Sequence, residues 1–146
     1  MAPPRKPISK ASMPALSRPA TAVTVLVAWA FPGAGHFLQG QSGKALVFGV
    51  TLLPMYLCGL MMGGRLFAFQ GVEPLVLLAA ASQWMIGVLR VVAGWSGAGV
   101  GDVVAASYEY GNTFLIVAGL LNVLVMFDAA DLARGRKTVS ASEATS

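Results

Sequence analysis

The stretch Ala45–Gly64, ALVFGVTLLPMYLCGLMMGG, contains no charged residue in twenty positions. As a helix it is about 30 Å long, the thickness of a bilayer's hydrocarbon core. A helix on the surface of a soluble protein keeps a polar stripe for water. Here the only polar departures are Thr51, Tyr56 and Cys58, so lipid is the expected solvent. Pro54 lies inside the stretch and should bend it, because proline removes one backbone donor and crowds the preceding turn.

Three further apolar stretches flank this one. The first runs from about Ala20 to Leu38, is uncharged apart from the single histidine, His36, and is interrupted by Pro32-Gly33. That interruption predicts a kink or a short unwinding. The third opens at Pro74, a favoured first-turn residue, and continues to Trp95 with Arg90 near its far end. The fourth spans Gly111 to Ala130, with Asn122 in its interior and Asp128 near its end. The glycine-rich links QGQSGK and WSGAGVGD are too short to hold a soluble domain.

The expected fold is therefore all-α: a polytopic membrane protein with a bundle of about four transmembrane helices over residues 20–137. Residues 1–19 carry five prolines and four basic residues with no apolar period, and residues 138–146 are small and polar. Both are expected to be disordered tails. The first is read as a cytoplasmic tail and not as a cleaved leader, because the basic region is long and the apolar stretch looks like half of a hairpin.

Composition agrees with a membrane chain. Hydrophobic residues make up 56% and charged residues 11%, with a mean hydropathy of +0.71. A soluble domain carries about a quarter charged residues, because its surface must be solvated. The net charge of +4 does not indicate nucleic acid: of ten Lys and Arg, four lie in the first eighteen residues and three at positions 134–137. Basic flanks around an apolar region suit the anionic inner leaflet. The expected partners are the lipid bilayer and, among proteins, other membrane proteins or a second copy, with no nucleic acid. Cys58 is the one cysteine, so no disulfide forms within the chain.

With a cytoplasmic N-tail, four crossings return the C-tail to the cytoplasm, as the positive-inside rule requires. Four crossings place Arg65 in an inner loop and residues 96–110 outside; Lys44 alone falls on the wrong side. The ionisable residues then sort into an outer layer (His36, Arg90, Asp102, Glu109) and an inner layer (Arg65, Asp128, Asp131, Arg134). Charges at membrane depth are costly and are usually paired or functional. The expected pairs are Arg65 with Asp128, Arg134 with Asp131, and Arg90 either with Glu109 or directed outward.

Positions 31–49, FPGAGHFLQGQSGKALVFG, resemble the start of the two-transmembrane-helix domain family. In that family a Pro-Gly-x-Gly-His-aromatic run ends one helix and a glycine-rich turn opens the next. Positions 109–137 resemble the last helix of an uncharacterised group of small bacterial membrane proteins that share this hairpin. The Asp-Arg-aromatic signature between the helices of the hairpin domain is absent here. The resemblance implies a multi-pass protein of the bacterial inner membrane and brings no reaction with it.

Motifs for catalysis are weak. Gly40-Gln-Ser-Gly-Lys44 fails as a phosphate loop, because Leu38 stands where its first glycine belongs and Ala45 replaces the magnesium-binding hydroxyl residue. Ser42 and Ser96 each sit in a Gly-x-Ser-Gly pattern like that of intramembrane proteases. Such a serine needs an activating base, and His36 is the only candidate. One histidine and one cysteine make no metal site, and no cofactor is expected. His36 reads as a polar anchor bound to a loop carbonyl, or as a proton carrier. Gln83 and Asn122 are the only polar groups expected near mid-membrane. The function expected by elimination is a non-catalytic structural, assembly or accessory membrane component. A small channel or transporter, as an oligomer or alone, is the alternative.

Overall fold

The computed structural model describes residues 16–70 and 73–135, and every regular element among them is helical. In chain order these are α1 (Arg18–Ala30), α2 (Ala34–Leu38), α3 (Ser42–Met61), α4 (Pro74–Trp84), α5 (Val88–Trp95) and α6 (Tyr108–Ala133). Most of the two expected tails lies outside the described residues. α1 begins at Arg18, slightly before the expected start at residue 20.

Two helices, α3 and α6, are long and apolar enough to cross a membrane. α4 and α5 would supply a third span only as a pair bent by 105°. Of the four continuous spans expected from hydropathy, two are thus single helices, and the stretches 20–38 and 74–95 are each broken in two.

α3 and α6 run antiparallel. At one end Lys44 Nζ lies 3.8 Å from Asp128 Oδ2; at the other, Gly59 packs against Gly111 and Leu115. The first of these is the terminal end, because there the Leu16 amide donates to the Ala133 carbonyl at 2.8 Å. The second is the loop end. α1 starts at the terminal end and runs along α6 as far as Asn122, whose amide reaches the Ala28 and Trp29 carbonyls.

There the chain reverses at Phe31-Pro32-Gly33. Gly33 has φ 85°, and a Cβ on it would collide with the Ala45 carbonyl. A side chain is excluded both by backbone conformation and by space. α2 then returns to the terminal end, where Gln39 Nε2 donates to the Ala129 carbonyl at 3.1 Å. The Pro-Gly pair therefore turns the chain back and does not simply kink a span.

The second half repeats this plan from the opposite end. α4 starts beside Glu109, Asn112 and Thr113 and reaches the depth of Asn122, which donates to the Met85 carbonyl at 2.7 Å. Met85-Ile86-Gly87 breaks the helix, with Gly87 at φ 66°. The chain returns to the loop end through bonds from Leu66 N to Gly99 O (2.8 Å), Asp102 N to Gly63 O (2.9 Å) and Ser107 Oγ to Met62 O (2.9 Å). Each half thus consists of a helix, a three-residue break closed by a left-handed glycine, a short return helix and a long crossing helix. The two halves have opposite sense.

α6 is the axis on which the pieces pack. Its buried face carries Gly111, Ala118, Gly119, Ala129, Ala130 and Ala133. Helices in lipid gain nothing from exclusion of water, so small residues that let backbones approach supply the packing. Gly119 shows how close that approach is: a Cβ there would run into the Ser82 carbonyl of α4. Tyr56, Ile86, Ala93, Leu115 and Ala118 form the apolar cluster nearest the loop end.

Candidate functional site

Breaking a helix at membrane depth exposes carbonyls that neither lipid nor the helix can satisfy, at a cost of several kcal/mol each. The polar residues collect at these breaks, and they do so at three depths along α6.

At mid-depth, Asn122 is fully buried. Its Nδ2 faces Ala28 O (3.3 Å), Trp29 O (3.4 Å) and Met85 O (2.7 Å), so one side chain joins the carboxyl ends of α1 and α4. Trp29 Nε1 donates across the same junction to the Trp84 carbonyl at 3.1 Å. A Cβ on Gly87 would strike the Trp29 carbonyl, so the two breaks touch. Asn122 Oδ1 is buried without a protein partner. Asn122 lies fourteen residues after Tyr108 and eleven before Ala133, about 21 Å and 16 Å along the helix, near the middle of α6.

At the terminal end, His36 is wholly buried, with Nε2 2.9 Å from Asp128 Oδ2. The Asp128 side chain is 18% exposed, and the partly exposed Lys44 ammonium approaches the same oxygen. The His36 ring rests on Phe48, with centroids 4.9 Å apart, and its Nδ1 has no protein partner. A carboxylate bonded to a buried imidazole beside an ammonium is a charge-assisted latch joining α2, α3 and α6.

Toward the loop end, Gln83 is fully buried and bonds both ways to one strand of backbone. Its Nε2 donates to Arg65 O at 2.9 Å, and its Oε1 accepts from Phe67 N at 2.8 Å. The Arg65 amide donates to Asn112 Oδ1 at 2.7 Å. The Arg90 guanidinium donates to the Phe67 carbonyl and stacks over the Trp84 ring, 4.9 Å from its centroid. Irregular backbone is thus held by side chains of α4, α5 and α6.

These contacts correct the layers expected from sequence. His36, assigned to the outer face, bonds Asp128, assigned to the inner one. Arg65, expected to pair with Asp128, sits beside Asn112, sixteen residues or about 24 Å back along α6. The reason is the reversal at Pro32-Gly33, which inverts α3 and the Arg65 segment, while the second reversal at Gly87 returns α6 to its expected sense. Arg90 turns inward to a carbonyl and not to Glu109, which is exposed at the start of α6. Asp131 lies one turn beyond Asp128, and Arg134 follows the last turn of α6. Asn112 was missed, although Asn112, Leu115, Gly119 and Asn122 form a three-and-four seam readable from the sequence. Among the described residues no three His, Cys, Asp or Glu side chains gather as a metal cluster would require.

Residues 23–138 match the model of a family of unknown function, DUF6677. No curated protein and no solved structure matches the chain.

Proposed function

The chain belongs to that family, and since no activity comes with membership, we propose from the geometry that it is a non-catalytic, structural or accessory component of the bacterial inner membrane. In this reading α3 and α6 cross the bilayer, and the pairs α1–α2 and α4–α5 enter from opposite faces and meet at its middle. Both termini then lie on one face, the cytoplasmic one. That face gathers eight of the ten Lys and Arg, namely Arg5, Lys6, Lys10, Arg18, Lys44, Arg134, Arg136 and Lys137. Lys44, misplaced by a four-crossing topology, falls on the correct side.

The observation that carries the non-catalytic reading is the use made of the polar groups. Asn122 and Gln83, both fully buried, are bound to the backbone of the breaks. Their chemistry is accounted for by holding discontinuous helices in lipid. Transport is the second reading. Opposed half-helices meeting at mid-depth frame the sites of many transporters, and Asn122 Oδ1 is buried there without a protein partner.

Reconstitution into liposomes separates the two. An accessory component leaves proton, sodium and potassium leak at the level of empty vesicles and co-purifies from mild detergent with a defined membrane protein. A flux abolished by Asn122→Leu, in a variant that still melts cooperatively, would replace this reading with transport.

A further inference from the structure

Where α1 begins and α6 ends, a cleft of about 800 Å³ opens between the two helices. Arg18, the first residue of α1, and Arg134, just past the last turn of α6, both line it and are both exposed. The bond from the Leu16 amide to the Ala133 carbonyl pins the two helix ends together, so the arginines are held near each other. Below them the wall is Ala22, Val25 and Leu26 of α1, which is apolar and faces outward from the bundle. The Thr21 hydroxyl, which also lines the cleft, is already bonded to the Ser17 carbonyl at 3.2 Å. Asp131, a turn before Arg134, is not part of the lining.

We propose that this cleft binds an anionic phospholipid of the cytoplasmic leaflet, its phosphate between Arg18 and Arg134 and one acyl chain along Ala22, Val25 and Leu26. The proposal rests on the membrane topology given above. Two guanidinium forks match phosphate oxygens in geometry as well as charge. Basic pockets between helices on the cytoplasmic side are suited to anionic headgroups. A zwitterionic headgroup carries its own cation, which two arginines would oppose. A free phosphate would leave the apolar wall unused.

The test uses the purified full chain in neutral detergent, titrated with phosphatidylglycerol, phosphatidylcholine or glycerol phosphate and read by native mass spectrometry. Phosphatidylglycerol should stay bound at concentrations where the other two do not. Arg18→Gln and Arg134→Gln should each weaken it about five-fold, and the pair about twenty-five-fold. Lys44→Gln, which removes a cation from the same end but outside the cleft, should change little. Arg18→Lys with Arg134→Lys keeps the charge and loses the forks, and it should still bind more weakly than wild type. Undiminished binding by the double glutamine variant overturns the proposal. So does an equal loss in Lys44→Gln, which would mark a diffuse positive field, or equal retention of glycerol phosphate. A failed binding test with the protein still in the membrane fraction removes only the lipid site; extraction of the chain by alkaline carbonate would remove the topology as well.

Discussion

His36 and Asp128 lie ninety-two residues apart in sequence and 2.9 Å apart in space, and their bond is possible only because the chain turns back at Pro32-Gly33. A straight helix over 20–38 would carry His36 to the face opposite Asp128. The pair therefore reports the reversal directly and secures the short return helix α2, which at five residues is too brief to hold itself.

Asp128→Asn and His36→Gln should each lower stability in detergent by about 1.5–3 kcal/mol, the range for hydrogen bonds to charged groups. The double variant should cost less than the sum, because each single change already breaks the shared bond. Glu109→Gln, at an exposed carboxylate, serves as the control. Thermal melts of the four proteins decide the matter, and strict additivity of the two single changes would mean that the two side chains do not interact.

A break glycine and a helix glycine make a sharper comparison. Gly87→Ala adds one methyl group at a position with φ 66° where that group meets the Trp29 carbonyl. Gly94→Ala adds the same group inside α5 where nothing lies within 4 Å. The first should cost more than about 2 kcal/mol through backbone strain and collision. The second should be neutral or stabilise by about 0.5–1 kcal/mol, since alanine favours the helix. Comparable melting temperatures for the two variants would place Gly87 outside any tight junction.

The long helices were legible in the sequence for a simple reason. Apolar runs near residues 45–64 and 111–130 mark α3 and α6 to within about three residues at each end, and Pro74 marks the start of α4. Direction was less legible. Hydropathy reports which residues sit in lipid, and a segment that returns is as apolar as one that crosses. At Pro32-Gly33 the difference between a bend and a reversal lies in the positive φ of Gly33, and at Gly87 no proline announces it. Two signals did point the right way. Only about twelve apolar residues precede Pro32, too few to span a bilayer, and Lys44 fell on the wrong face of a four-crossing topology. The roles of Asn122 and Gln83 were hidden because their partners are backbone carbonyls and amides, which no side-chain pattern reveals.

Asn122 should be the position least tolerant of an apolar substitute. Asn122→Leu removes the donor shared by the Ala28, Trp29 and Met85 carbonyls at a fully buried position. The loss should be at least about 2–3 kcal/mol, the desolvation penalty of a carbonyl left unpaired. Asn122→Asp keeps the shape and loses the donor, so it should be comparably damaging. Asn122→Gln keeps the donor and should retain part of the stability. A melt of Asn122→Leu indistinguishable from wild type would show that the junction is held by packing alone.

The topology admits a test in which two labels exchange sides. If α1–α2 and α4–α5 each turn back, only α3 and α6 cross, and Gln41 and Gln70 lie at opposite ends of α3. With cytoplasmic termini, Gln41 is then inside and Gln70 outside. Four continuous spans would put Gln41 outside and Gln70 inside. Gly101 is outside in both arrangements, so it calibrates the outer label without discriminating. Single cysteines at Gln41, Gln70 and an outer reference position in a Cys58→Ala background can be probed in intact cells with a membrane-impermeant maleimide. Gly101 is itself a left-handed glycine at φ 87°, so Val104, exposed three residues later, is the safer reference position. Labelling at Gln70 and Val104, with Gln41 reached only after permeabilisation, is the expected pattern. Labelling at Gln41 with protection at Gln70 would restore four crossings, and the meeting of α1 and α4 at Asn122 would then have to be abandoned.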